Sequence, residues 1–301
     1  MKKYHFILAL FFAVLSLGIN AQQDELSPYL KVGELEGSMD IVRTRVLNAI
    51  NDNGWEIIGE YHPAENKEMA VIAFTNDALK RLSIQFKDRG ALASVQKAAM
   101  IHKDGKTTVS MVNPEYMFRA YWGGQMDGKE KDLVAMSEKI KGIFSSFGEL
   151  EPFGGFVETK DLPDYHYMMM MPYFDEPEEL KEFASFKEGI EIVRKNLEAG
   201  KGQTVKVFEQ IFEGEEIAVF GVGLWSKEDG EGHFLPTIGE AHIANLPYEI
   251  ILQGKEATML HGKYRIAIYW PELKMGTFMK INSTPGDIED TLKSLTEDES
   301  I

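Results

Sequence analysis

The run His166-Tyr167-Met168-Met169-Met170-Met171 is the first place in this chain where side-chain type and spacing could do chemistry. Read as a strand, its period of two puts His166, Met168 and Met170 on one face. Thioether sulfur and imidazole nitrogen are soft ligands suited to Cu(I). The competing role is packing, because flexible, polarisable methionine fills irregular gaps between a sheet and its helices. Packing is the expected role and no metal is expected. Burial of Met168 and Met170 beside His166 would mark it.

Other constellations carry less. His102 and His261 each precede a turn signal and form a pseudo-symmetric pair, at positions where hairpin ends are usually wet. Glu240, His242 and His233 supply three possible ligands, but their spacing fits no helix-borne zinc motif. Gly221-Val222-Gly223 with Gly230 and Gly232 lacks the strand-turn-helix context of a dinucleotide loop, and the acidic stretch from Trp225 to Gly232 would repel a pyrophosphate. No GxSxG elbow is present, and with no cysteine there is no thiol nucleophile. No catalytic residue and no cofactor is assigned.

The elements that must position these residues read as one plan written twice. Ser38 opens a helix with Met39, Val42, Val46 and Ile50 on one face, ended by Asn53-Gly54. Ser185 and Glu188 form a capping box for a second helix with Phe186, Ile190, Val193 and Leu197, stopped by Gly200. Strand-like sequence follows each: Met69 to Phe74 in the first half, Val205 to Phe212 and Ile217 to Trp225 in the second. Thr107 to Val112 and Tyr264 to Trp270 also have strand character. The first half closes with a helix carrying Leu133, Met136, Ile140 and Ile143, the second with one carrying Ile288, Leu292 and Leu295.

Aligning Lys106 with Lys263 and Pro114 with Pro271 gives an offset of 157, against 147 at the serines, and places about ten extra residues in the Ser226 to His233 loop. Pro28 to Val32 is the expected first strand of the first half. Tyr165 to Phe174 is its counterpart, and the tract from Asp175 to Glu182 then reads as an acidic loop. The Gly- and Pro-rich stretch from Glu149 to Phe156 reads as the boundary. The expected modules span residues 27–148 and 160–297.

Lys2 and Lys3, the apolar run Phe6 to Leu15, and a small residue at Ala21 read as a cleavable signal peptide over residues 1–21. The run is too short to span a membrane, and no lipobox cysteine follows it. A periplasmic or secreted protein is expected, with no membrane association after cleavage. Cleavage leaves 30 basic against 48 acidic side chains, a formal −18. Such a surface repels phosphate backbones and anionic headgroups, so nucleic acid is not expected as a partner.

Both halves resemble the bacterial family known as domain of unknown function 302. The residues that carry the resemblance are Ser38 to Tyr61, Lys103 to Gly123 with its Asn-Pro-x-Tyr segment, and Ile238 to Leu252 with Leu-Pro leading into a strand. The resemblance implies two tandem α+β modules, each β-α-β4-α with an antiparallel sheet and helices packed on one face, in a TATA-binding-protein-like architecture. It implies no activity. The expected role is non-enzymatic binding of an unknown small molecule or protein. The alternatives are an enzyme with an unconventional site between the modules, or a copper-handling protein using the His166/Met168/Met170 face.

Overall fold

The computed structural model describes residues 25–298, so the expected leader lies outside the described residues. The first half runs β1 (Glu25–Leu26), β2 (Tyr29–Glu36), α1 (Met39–Asp52), β3 (Glu56–Tyr61), β4 (Met69–Thr75), α2 (Asp77–Ser83), β5 (Gln96–Lys103), β6 (Lys106–Val112), α3 (Pro114–Trp122) and α4 (Glu130–Gly142). Two short strands follow, β7 (Glu151–Phe153) and β8 (Val157–Glu158). The second half runs β9 (Glu178–Glu182), α5 (Phe186–Glu198), β10 (Thr204–Phe212), β11 (Ile217–Leu224), α6 (Glu231–Ile238), β12 (Tyr248–Gln253), β13 (Glu256–Met259), α7 (Gly262–Tyr269), α8 (Met275–Phe278) and α9 (Thr284–Ser294). The chain is α+β, and its strand pairs are antiparallel.

The first sheet has the order β3-β4-β5-β6-β2-β7 and the second β10-β11-β12-β13-β9. Leaving β7 aside, the two orders are the same. β4 and β11 sit inside their sheets and are buried along their whole length. The i, i+4 spacing of Val42, Val46 and Ile50 buries one face of α1, which packs over β3 and β5. Ser38 stands at the N-cap without a side-chain cap bond. One arm of the capping box at α5 forms, Glu188 N–H donating to Ser185 Oγ at 3.2 Å, while Glu188 Oε2 accepts at 2.7 Å from Ala184 N–H, one residue before the cap.

The two halves meet through equivalent elements. β3 lies against β10, and a Cβ on Gly59 would stand 1.9 Å from the Val207 carbonyl oxygen, so only glycine admits this approach. α3 lies beside α7, with Tyr121 and Tyr269 hydroxyls 3.0 Å apart and Tyr116 donating to the Ile268 carbonyl at 2.6 Å.

Four expectations need correction. Tyr165 to Phe174 forms no strand; the first strand of the second half is β9, inside the tract read as an acidic loop. β9 is an edge strand, which needs only one inward apolar residue, here Leu180, and whose charges discourage stray pairing. Tyr264 to Trp270 is helical, as α7, with nearly every residue buried, so no exposed face marked its period.

Pro114 and Pro271 occupy different elements: the first opens α3, the second follows α7. Residues at like places in the two halves are instead Ser38 and Ser185, the turn glycines Gly105 and Gly254, and the Tyr-x4-Tyr-Trp of Tyr116, Tyr121 and Trp122 and of Tyr264, Tyr269 and Trp270. These pairs lie 147, 149 and 148 residues apart, so no ten-residue insertion is needed at the Ser226 to His233 loop. His102, at the end of β5, and His261, at the N-cap of α7, are therefore not counterparts. Finally, the expected boundary contains β7, which adds to the first sheet beside β2.

Candidate functional site

A groove of about 750 Å³ lies over one face of the first sheet. Alternation along β5 puts Lys97, Ala99, Ile101 and Lys103 on this side. Lys106, Thr108 and Ser110 of β6 join them, and Ile101, Lys103 and these three line the opening. A one-residue bulge at Val32 shifts the parity of β2, so that Lys31 faces Ser110, Glu34 faces Thr108, and both line the groove. β7 supplies one wall with Pro152 and Phe153. The short 3₁₀ helix Glu240–Asn245 of the second half supplies Glu240 and Ala241 to the other.

The lining mixes charge of both signs with an apolar strip. Lys106 is paired with Glu34 at 2.9 Å and holds that carboxyl below its usual range. Lys31 and Lys103 form no ion pair among the described residues. Neither do Asp104, Glu151 and Glu240. Ile101, Pro152, Phe153 and Ala241 give the apolar contact.

Behind the groove, on the same side of β5, lies a buried charge network that joins the halves. Lys97 Nζ pairs with Glu249 Oε1 and reaches the Asn245 carbonyl at 3.4 Å. Arg265, from α7, donates through Nη2 to Glu249 Oε2 at 3.3 Å and to the carbonyls of Asn245 and Pro247 at 2.7 and 2.8 Å. Its Nη1 donates to Asn245 Oδ1 at 3.1 Å, and its guanidinium lies 3.6 Å above the Tyr248 ring. Asn245 Nδ2 then donates to Tyr29 Oη at 3.0 Å. Burial pushes the Lys97 ammonium below its usual range, with Glu249 opposing.

Two further buried groups titrate far from their ordinary values. Glu231, the first residue of α6, accepts from Tyr61 Oη at 2.9 Å, Ala64 N–H at 2.7 Å and Leu224 N–H at 3.2 Å. Tyr61 and Ala64 belong to the first half, so this carboxyl ties α6 to the turn after β3. Burial raises it to about 7 despite the three donors. His242 sits in a box of aromatic rings, 5.1 Å from Tyr29, 6.1 Å from Phe153 and 5.5 Å from Trp270. Among the described residues neither ring nitrogen has a partner within hydrogen-bond distance, Glu272 Oε1 standing 3.8 Å from Nε2, and burial lowers the imidazole to about 4.

The residues singled out from sequence are distributed rather than gathered. Glu240 lines the groove, His242 turns into its aromatic box, and His233 stays apart on α6. Among the described residues no three His, Asp or Glu side chains are arranged to hold a metal ion. His102 Nδ1 lies 2.8 Å from Thr107 Oγ1.

The methionine run is a turn, not a strand, with Met171 N–H donating to the Met168 carbonyl at 3.0 Å. Met168, Met169 and Met170 are 44, 85 and 94 % exposed, against the expected burial. A turn breaks the alternation that would have aligned His166, Met168 and Met170. It also places His166 and His261 on one cleft, which the sequence had not joined.

Lys97, Glu249, Arg265 and Glu231 were missed. Three of them carried a legible signal: each of Lys97, Glu249 and Arg265 is a single charge inside an otherwise apolar run.

The sequence matches no family model and no curated protein. Among solved structures, the chain is similar to an uncharacterised conserved protein, DUF302, from Bacillus stearothermophilus. The identity is 12 %, over 40 % of this chain and 94 % of that one, with a TM-score of 0.32.

Proposed function

We propose that this chain is an exported, non-enzymatic binding protein built from two like halves, each of the domain-of-unknown-function 302 type. Its ligand is a small zwitterionic molecule with one apolar group. The observation that carries this reading is the groove over the first sheet, whose lining brings together Lys31, Lys103, Glu151 and Glu240, none in an ion pair among the described residues, with apolar Ile101, Pro152, Phe153 and Ala241. Charges of both signs beside apolar side chains suit a ligand that carries both signs and buries one hydrophobic part. The common strand order of the two sheets and the constant spacing of about 148 residues support the two-fold plan. The acidic balance of the chain argues against nucleic acid. The buried Lys97, Glu249 and Arg265 do not line the groove, which favours binding over an enzymatic reading of the same region.

A panel of small zwitterions, each bearing one aromatic or aliphatic group, tests the groove by thermal shift. A ligand present at a hundred times its Kd should stabilise the fold by about 2.7 kcal/mol. Thr108→Trp, which fills the groove from a half-buried position, should abolish that shift while changing the unliganded stability by less than about 0.5 kcal/mol. A panel without a hit, or a hit that survives Thr108→Trp, overturns the reading. Export has its own check: material from the exporting host should begin near Gln22, and a retained Met1 would refute it.

A further inference from the structure

We propose that the methionine turn binds one Cu(I) ion through the sulfurs of Met169 and Met170 and Nδ1 of His166. The inference is independent of the groove. Methionines elsewhere in the chain, such as Met69, Met100, Met111 and Met259, are buried and fill the core. The two at the tip of this turn are almost wholly in water and contribute nothing to a core. What remains to an exposed thioether is its softness as a ligand, which suits Cu(I).

The turn is shaped to present them. Met170 has a φ of +71°, a left-handed conformation that an L-residue adopts at a cost of about 1–2 kcal/mol. Strain of this kind persists where surrounding contacts hold it, and it concentrates at functional sites. The holding contacts are visible. The His166 ring stacks on Tyr173, centroids 4.2 Å apart and planes within 8°. His166 Nε2 lies 2.8 Å from the Met171 carbonyl. A carbonyl only accepts, so the proton is on Nε2 and the lone pair of the neutral ring is on Nδ1. Metal-binding imidazoles are commonly oriented this way, by donating the second ring N–H to a backbone carbonyl.

His166, Met169 and Met170 line one cleft of about 610 Å³. Its opposite wall carries His261, whose Nε2 is 3.0 Å from Glu178 Oε1 and whose Nδ1 accepts from Lys263 N–H at 3.2 Å. Both nitrogens of His261 are engaged, so it bounds the cleft without being a ligand. Glu176 and Glu178 make the cleft favourable to a cation, with Lys263 opposing. The ligand set therefore differs from the strand-based one: Met169 takes the place of Met168, which is the less exposed.

The test is competition for Cu(I), held reduced by ascorbate without oxygen, between the mature chain and a chromophoric Cu(I) chelator. The expected result is one Cu(I) withheld per chain, with sulfur and nitrogen scatterers in its X-ray absorption spectrum. Met169→Ala with Met170→Ala should weaken the affinity about 10- to 100-fold, and His166→Ala should weaken it and remove the nitrogen scatterer. Met275→Ala with Met279→Ala, also exposed but outside the cleft, should change nothing. Because the turn is on the surface, circular dichroism melts should show all variants folded. Failure to withhold Cu(I), or equal affinity in the Met169/Met170 double variant, overturns the proposal.

Discussion

Glu249→Ala should destabilise the fold by about 3–5 kcal/mol, the largest effect expected of any single polar substitution in this chain. Glu249 is the one carboxylate that touches both Lys97 and Arg265, and all three are buried between the halves. Removing it leaves two cations out of water with backbone carbonyls, Asn245 and the Tyr248 ring as partners but no counter-charge in contact. The cost is the desolvation of unpaired charge rather than the worth of the pair itself. That distinction can be measured. Lys97→Met in the Glu249→Ala background removes one stranded cation and should recover a large part of the loss. Lys97→Met alone should cost less than Glu249→Ala, because Arg265 still neutralises the carboxylate. Urea denaturation of the four proteins closes the cycle. Additive effects would show that the three residues do not act as a network.

The same network shows what sequence reading reached and where it stopped. α1 and α5 were legible because their apolar residues recur on one face and their far face is wet. The methionine run misled for a simple reason: four identical residues carry no period, so a turn and a strand fit them equally. α7 misled in a related way, since burial on all sides erases the polar stripe that identifies a helix. β9 was hidden by its charges, four in five residues, which an edge strand tolerates and a loop shares.

The expected match of Pro114 with Pro271 failed because prolines and lysines are weak guides to equivalence. These serve turns and surfaces, and they drift. The Tyr-x4-Tyr-Trp pattern is held more tightly, because the Tyr121 and Tyr269 hydroxyls meet across the two halves and Tyr116 donates to the Ile268 carbonyl. The groove itself needed the fold. Its walls come from β2, β5, β6, β7 and a segment of the second half far along the chain, and the Val32 bulge that aligns Lys31 with Glu34 has no sequence mark.

Two buried groups should give this protein opposed pH dependences that single substitutions separate. His242 has a folded value of about 4 against an ordinary 6.5. As pH falls, the unfolded chain takes up this proton first, so the stability from His242 is complete above about pH 6.5 and lost towards pH 4. Glu231 behaves oppositely, with a folded value of about 7 against 4.5. The folded chain keeps a proton that the unfolded chain releases, so its contribution is complete below pH 4.5 and lost as pH rises through 7. At 1.36 kcal/mol per unit, each shift corresponds to about 3 kcal/mol. Between pH 4.5 and 6.5 the two slopes nearly cancel.

His242→Phe keeps an aromatic ring in the box of Tyr29, Phe153 and Trp270 and removes the titration. Its stability relative to the parent should therefore rise as pH falls from 6.5 to 4. Glu231→Gln removes the titration and keeps one acceptor oxygen, for the Tyr61 hydroxyl and the Leu224 amide, and its relative stability should rise as pH climbs from 4.5 to 7. Taking each variant against the parent cancels the titration of the many surface carboxylates, which all three proteins share. Chemical denaturation at half-unit pH steps gives both difference curves. They should run in opposite directions, and parallel curves would mean that at least one of the two groups titrates near its ordinary value.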